Sequence, residues 1–154
     1  MTKVEQYQEV IRNYTSLLDV DLPTHVHLNN LCALLKKEFN FFWVGFYERV
    51  SEDQLRLSSY QGEVPCFNIK IGKGVCGTAA AEGKTQLVDD VYAFPGYIAC
   101  HPEPNSEIVV PGMMNGRCLF VLDIDHVDKA WFSETDTNHL EQLVDLTVQK
   151  LYAS

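Results

Sequence analysis

Six residues between positions 66 and 125 carry the chemical reading of this chain. They are the thiols Cys66, Cys76 and Cys100 and the acids Glu107, Asp123 and Asp125. No two of these cysteines stand close together. A structural zinc site normally brings at least one C-x-x-C pair, and the chain has none. Cysteines scattered along a chain that must meet in space fit thiol redox chemistry instead. One sulfur attacks and another resolves the product.

Cys100 can be taken as the attacking sulfur. An ordinary thiol is only about 3% thiolate at pH 7. Lowering its pKa by ~2 units raises that fraction about 25-fold, while the lost basicity costs roughly tenfold in nucleophilicity. A net gain of about two- to threefold cannot be the main catalytic effect, so the electrophile must be activated as well. Glu107, Asp123 and Asp125 are the candidates. Asp123 and Asp125 lie at i and i+2, so a strand would point both to one face. If buried together, such acids cannot all ionise, and at least one holds a proton near neutral pH. A protonated carboxyl can donate to an oxygen leaving group. An ionised one can bind an ammonium. An isolated acid at a strand end is usually just solvated, but Asp123 sits inside the apolar run LFVLDID. His101 adjoins Cys100, though neighbouring side chains often diverge. His25, His27, His126 and His139 read as surface or helix residues. Cys32 and Cys118 fall on apolar faces and read as core filler.

The rest of the chain must position these groups. Its 154 residues suit one domain, expected to span 1–154. With 46% hydrophobic and 21% charged residues the balance is globular. A net charge of −9 makes nucleic acid and anionic membrane poor partners. No apolar run approaches a membrane span, and MTKVEQYQEV has no apolar signal region, so a cytoplasmic location with reduced cysteines is expected.

Helical spacing of Tyr7, Val10, Ile11, Tyr14, Leu17 and Leu18 predicts a helix over 3–18. Leu28, Leu31, Cys32 and Leu35 mark a second. FFWVGFY at 41–47 reads as a central strand, with Gly45 marking a close backbone approach or a bulge. Leu55 and Leu57 alternate in a second strand, and Phe67, Ile69 and Ile71 in a third. Gly72-Lys73-Gly74 breaks that run and feeds a short helix of small residues over 75–81. GKGVCGTA lacks the phosphate-loop pattern, yet the free N–H groups of such a helix start can hold a carboxylate, or a thiolate at Cys76. Residues 89–105 form a long loop of turn formers that carries Cys100, and long ordered loops are often functional. Asn115-Gly116 predicts a hairpin between 106–110 and 117–124. A last helix starts near Ser133 and buries Leu140, Leu143, Val144, Val148 and Leu151. The sum is an α+β fold, a mostly antiparallel sheet with helices on one face.

The motifs WVGFY (43–47), Gln61-Gly62 before Cys66, GKGVCGTA (72–79), FPGYIAC (94–100), NSEIVVP (105–111) and VLDID (121–125) resemble the free methionine-(R)-sulfoxide reductases, stand-alone proteins of GAF fold. The resemblance covers nearly the whole chain. It implies a GAF-like α+β domain with a long active-site loop. It implies that Cys100 attacks, Cys66 is the main resolving thiol and Cys76 is accessory. Glu107, Asp123 and Asp125 would contact the substrate or polarise its sulfoxide. Trp43 would pack on the methylthio end, with Tyr47 as a further substrate contact. The partners implied are free methionine-(R)-sulfoxide and a thioredoxin-type dithiol, with room for a homodimer and no need of a metal or organic cofactor. Four positions depart from the family pattern. Phe120 stands for a glycine, Gly112 for an apolar residue, Tyr97 for a histidine and His101 for an acid. A GAF-type small-molecule or redox sensor without catalysis is the alternative, but a sensor normally needs an output domain. A thiol protein acting on another substrate, such as a peroxide, is a second. Release of methionine from the sulfoxide separates all three.

Overall fold

In the computed structural model, which describes residues 1–153, two helices lead into a six-stranded sheet. Helix α1 is Lys3–Leu17 and α2 is Thr24–Phe39. Strands β1 (Trp43–Arg49), β2 (Gln54–Gln61) and β3 (Asn68–Lys70) follow, then α3 (Gly74–Glu82) and β4 (Gln86–Val88). A 3₁₀ turn at Val91–Ala93 opens the long loop, and β5 (Ser106–Met114), β6 (Arg117–His126) and α4 (Glu134–Leu151) complete the chain. The strand order is β3-β2-β1-β6-β5-β4, with every neighbouring pair antiparallel.

Alternation along the central strands makes two cores. Val44, Phe46, Ile108, Val110, Phe120, Leu122 and Ile124 face α1, α2 and α4. Trp43, Tyr47, Val109 and Val121 face the other way, onto α3 and the residues leading into the long loop. The expectation of helices on one face thus holds for three of the four. Periodicity tells which side of a helix is buried, but not which layer it joins. Glycine lets α3 lie close to the sheet, because a Cβ on Gly77 would stand 2.4 Å from the Lys70 carbonyl oxygen.

Asp136 fixes the outer helices. It is fully buried, accepts the Ser133 N–H at 2.8 Å as a cap of α4, and takes the Tyr7 hydroxyl at 2.6 Å and Lys3 Nζ at 2.7 Å from α1. The Asn115-Gly116 turn has both residues at positive φ (52° and 76°), as a tight hairpin requires. Its strands run further than expected on both sides. Pro111 is tolerated within β5 because β4 pairs only as far as Val109, leaving an edge beyond it. Two differences concern β3 and β4. Phe67 lies outside β3 and is exposed, so only Ile69 of that trio is buried in the strand. Strand β4 is three residues long, too short to leave an alternation in the sequence.

Candidate active site

The site forms where β1, β5 and β6 meet the start of α3 under the long loop. Register brings the acids together. Glu107 on β5 is opposite Asp125 on β6, and Asp125 is in turn opposite Trp43 on β1. Asp123, two residues back, points to the same face. The three acids line one cavity with Trp43, Tyr47, Cys76 and Cys100. All six chemical residues singled out in the sequence are therefore at or beside this cavity, since Cys66 is bonded to Cys100 in its wall, with Cα atoms 5.6 Å apart. Cys76 remains a free, buried thiol, as do Cys32 and Cys118 in the cores.

Burial sets the charge state. Glu107 and Asp123 are each 6% exposed. Desolvation, then repulsion from Asp123 and Asp125, pushes Glu107 well above the ordinary carboxyl range. Desolvation and the Asp123 charge do the same to Asp125. Desolvation also raises Asp123, but its hydrogen-bonding neighbours Glu107 and Cys76 pull it back down. The environments therefore separate the roles, with Asp123 as the acid most favoured to ionise and Glu107 and Asp125 as proton holders. The Cys76 thiol is raised by burial and by Asp123 and Glu107, so it is protonated at neutral pH.

Aromatic side chains make one wall. Trp43 stacks between Tyr47 and Tyr60, with ring centroids 5.9 and 5.7 Å away. Gly45 permits this, because a Cβ there would be 2.4 Å from the indole. The sheet register between β1 and β2 also shifts just after Gly45, which bears out the bulge reading, while the close neighbours are the side chains of Trp43 and Tyr60 rather than backbone. Trp43 Nε1–H donates to the Glu63 carbonyl at 3.0 Å and the Tyr47 hydroxyl to the Cys66 carbonyl at 2.9 Å. Two pocket residues thus hold the segment that carries Cys66.

The roof is the loop with Tyr97, Ile98 and Cys100. It is stitched by Tyr92, whose hydroxyl donates to the Pro102 carbonyl at 2.7 Å and whose ring meets Tyr97 edge-on. Asn105 anchors its far end on β6 through the His126 and Val127 carbonyls. Ile98 covers the start of α3, where a Cβ on Gly74 would come within 3.1 Å of it. The lining residues Ile98 and Lys73 were missed from sequence. The only signal for Ile98 was an apolar residue among turn formers. His101 lines the cavity too, but its Nδ1 lies 3.4 Å from the Glu63 carboxylate and its ring packs edge-on against Phe42. His27 is a helix residue, as expected, but a buried one, with Nε2 2.7 Å from the Asp19 carbonyl. No helix among the described residues is long and apolar enough to cross a membrane.

The GAF domain family matches residues 26–151. GAF domain-containing protein A of Dictyostelium discoideum is 42% identical over 94% of this chain and 92% of its own length. The free methionine-R-sulfoxide reductase of Escherichia coli is 38% identical over 94% of this chain and 87% of its own. A solved free methionine-R-sulfoxide reductase from Neisseria meningitidis, in complex with its substrate, superposes with a TM-score of 0.93 at 41% identity, covering 100% of this chain and 93% of that one. The chain belongs to the free methionine-(R)-sulfoxide reductase family of GAF domains.

For a reductase of this family the cavity has the needed parts. It has a bonded pair of cysteines, three buried acids and an aromatic wall. The start of α3 adds unpaired backbone N–H groups where Gly74, Val75 and Cys76 line the cavity.

Proposed function

We propose that this chain reduces free L-methionine-(R)-sulfoxide to methionine, and that Cys100, Cys66 and the acid cluster carry the reaction. The observation that carries the reading is the Cys66–Cys100 bond in the wall of the cavity that holds Glu107, Asp123 and Asp125. With the pair reduced, Cys100 thiolate attacks the sulfoxide sulfur. A protonated Glu107 or Asp125 donates to the oxygen, which leaves with Cys100 as a sulfenic acid while methionine is released. The two electrons gained by the substrate sulfur come from Cys100. Cys66 then displaces water from the sulfenic acid and closes the disulfide, and an external dithiol of the thioredoxin type reopens it. Asp123 takes the substrate ammonium, the free N–H groups of α3 take its carboxylate, and Trp43 and Tyr47 hold the methylthio end. A cytosolic setting supplies the reducing conditions. A small-molecule sensor of the same fold would need no thiol pair closing over three buried acids.

The test is to incubate the protein with resolved epimers of free methionine sulfoxide and a dithiol, and to measure methionine. Release from the R epimer alone supports the reading. No release from either epimer overturns it in favour of a binding module.

A further inference from the structure

Two buried polar atoms on cavity-lining residues lack a hydrogen-bond partner among the described residues, Asp123 Oδ1 and His101 Nε2. The first matters more, because Asp123 is 94% out of water and an unpaired buried oxygen is costly. Next to it stand Cys76 and Glu107. The Cys76 sulfur and one oxygen of each acid all lie within 4.8 Å of one another. All three residues are buried, and they arrive on three different elements, α3, β5 and β6.

We propose that Cys76, Glu107 and Asp123 form a second, exchangeable site for a thiophilic divalent cation of the zinc class. The donors are one sulfur and two carboxylate oxygens. Thiolate selects zinc-like ions over magnesium or calcium, which prefer all-oxygen shells. Bonds of about 2.0–2.3 Å at a tetrahedral ion set donors ~3.3–3.8 Å apart, so no pair needs to close by more than about an ångström. Three protein donors leave a fourth position facing the cavity, the arrangement of an accessible rather than a structural site. Asp125, opposite Glu107 across the strands and lining the same cavity, is placed to orient that ligand. Lys73 and His101 are the basic side chains that line the cavity, and among the described residues neither forms an ion pair with these acids. The cluster therefore has no cation of its own. On binding, Cys76 and Glu107 release their protons to solvent, one metal–sulfur and two metal–oxygen bonds form, and metal-bound waters leave in exchange. No atom changes oxidation state. The other trio of this kind among the described residues, Glu63, His101 and Glu103, offers no sulfur and two exposed acids.

The consequence rests on the reductase reading. An ion held by Glu107 and Asp123 occupies the groups that would take the sulfoxide oxygen and the ammonium, so it blocks substrate competitively.

The oxidised protein is the one to test, because Cys66 and Cys100 are then closed and cannot bind metal. Zn²⁺ is titrated by calorimetry, and Co²⁺ by the thiolate charge-transfer band in the near ultraviolet. The expected result is one equivalent bound with a clear Co²⁺ band. Cys76→Ser should lose the band and weaken Zn²⁺ binding at least tenfold, Asp123→Asn should weaken it similarly, and Cys32→Ala and Cys118→Ala should keep both signals. Free methionine sulfoxide should raise the apparent Kd for Zn²⁺. No stoichiometric binding to the oxidised protein overturns the site, as does a band that survives in Cys76→Ser. If Cys76→Ser does not fold, a band lost in Cys32→Ala or Cys118→Ala overturns it equally. Turnover of the metal-free protein is measured separately. Its absence would count against the reductase reading and leave the metal result standing.

Discussion

The ring of Phe120 fills the space over Gly112. The two residues are opposite each other on β6 and β5, and a Cβ on Gly112 would lie 2.4 Å from Phe120 Cζ. The sequence resemblance leads one to expect an apolar residue at 112 and a glycine at 120, and in this chain the bulk sits on β6. Phe120 points into the core beneath α4, meeting Phe46 and Tyr152, while the acids point to the opposite face. The exchange therefore leaves the cavity untouched. Gly112→Ala should overpack the pair and cost about 1–3 kcal/mol. Phe120→Ala should leave a cavity and cost about 3–5 kcal/mol. The double variant Gly112→Ala/Phe120→Ala should cost no more than Phe120→Ala alone, because the added methyl then has room. Urea denaturation of all three tests this, and additive losses in the double variant would show that the residues do not compensate.

The cysteines should separate by step. Cys100→Ser is expected to release no methionine even in a single turnover. Cys66→Ser should release one equivalent and then stall with a sulfenic acid that dimedone traps, since Cys66 is the sulfur bonded to Cys100. Single-turnover methionine measurement with mass spectrometry of the protein reads both. A full first turnover in Cys100→Ser would remove it from the attacking role.

The acids should show opposite effects on activity and stability. Glu107 has its pKa raised above an ordinary 4.5, and Asp125 above an ordinary 3.8. Between those values and the raised ones the native state binds more protons than the unfolded chain, so stability falls as pH rises through that window. Glu107→Gln and Asp125→Asn remove that loss. Each should raise Tm at pH 7 by about 2–4 °C, roughly 1 kcal/mol, and the gain should vanish near pH 4. The same variants should slow the reductive step by about 100-fold or more, the usual scale for a lost general acid. Thermal melts at pH 4 and 7 with single-turnover rates decide. An equal Tm change at both pH values would mean that the effect is packing rather than protonation.

Periodicity and turn chemistry made most of this fold legible. The stripes on α1, α2 and α4 and the Asn115-Gly116 turn stand where they were expected, except at two helix ends, where Leu17 is exposed and Leu151 only half-buried. The candidate site was legible only as a set of residue types. That Glu107 meets Asp125, and that Gly112 meets Phe120, depends on strand register, and no single strand carries its partner's register in its own pattern. The side of the sheet taken by α3 was hidden for a related reason. Its run of glycine and alanine has almost no polar face to orient it, and close approach at Gly77 decided the matter. Phe67 misled because an apolar residue in period-2 spacing reads as buried even where the strand has not yet begun.

Substrate length should be discriminated sharply. A free amino acid sulfoxide carries two charges, and the cavity offers a place for each. Asp123 stands as the acid most favoured to ionise, with an oxygen that has no partner. The start of α3 presents N–H groups under the cover of Ile98. A blocked substrate, N-acetylated and C-amidated, brings neither charge. It also adds atoms where Tyr97 and Ile98 close the roof, so both ends of the site would be left buried and unpaired. Sites built to hydrogen-bond a group reject analogues that lack it by about 10⁴–10⁵-fold, and two such groups are lost here. The blocked R sulfoxide should therefore show kcat/KM at least about 10⁴-fold below that of the free one. Ile98→Ala opens the roof without restoring either charge. It should raise the rate on the blocked substrate by no more than about tenfold, the scale of a lost apolar contact. Comparable kcat/KM values for free and blocked substrates would show that the two charges are not read at all. A large rescue by Ile98→Ala would show that bulk, rather than charge, is what the cavity excludes.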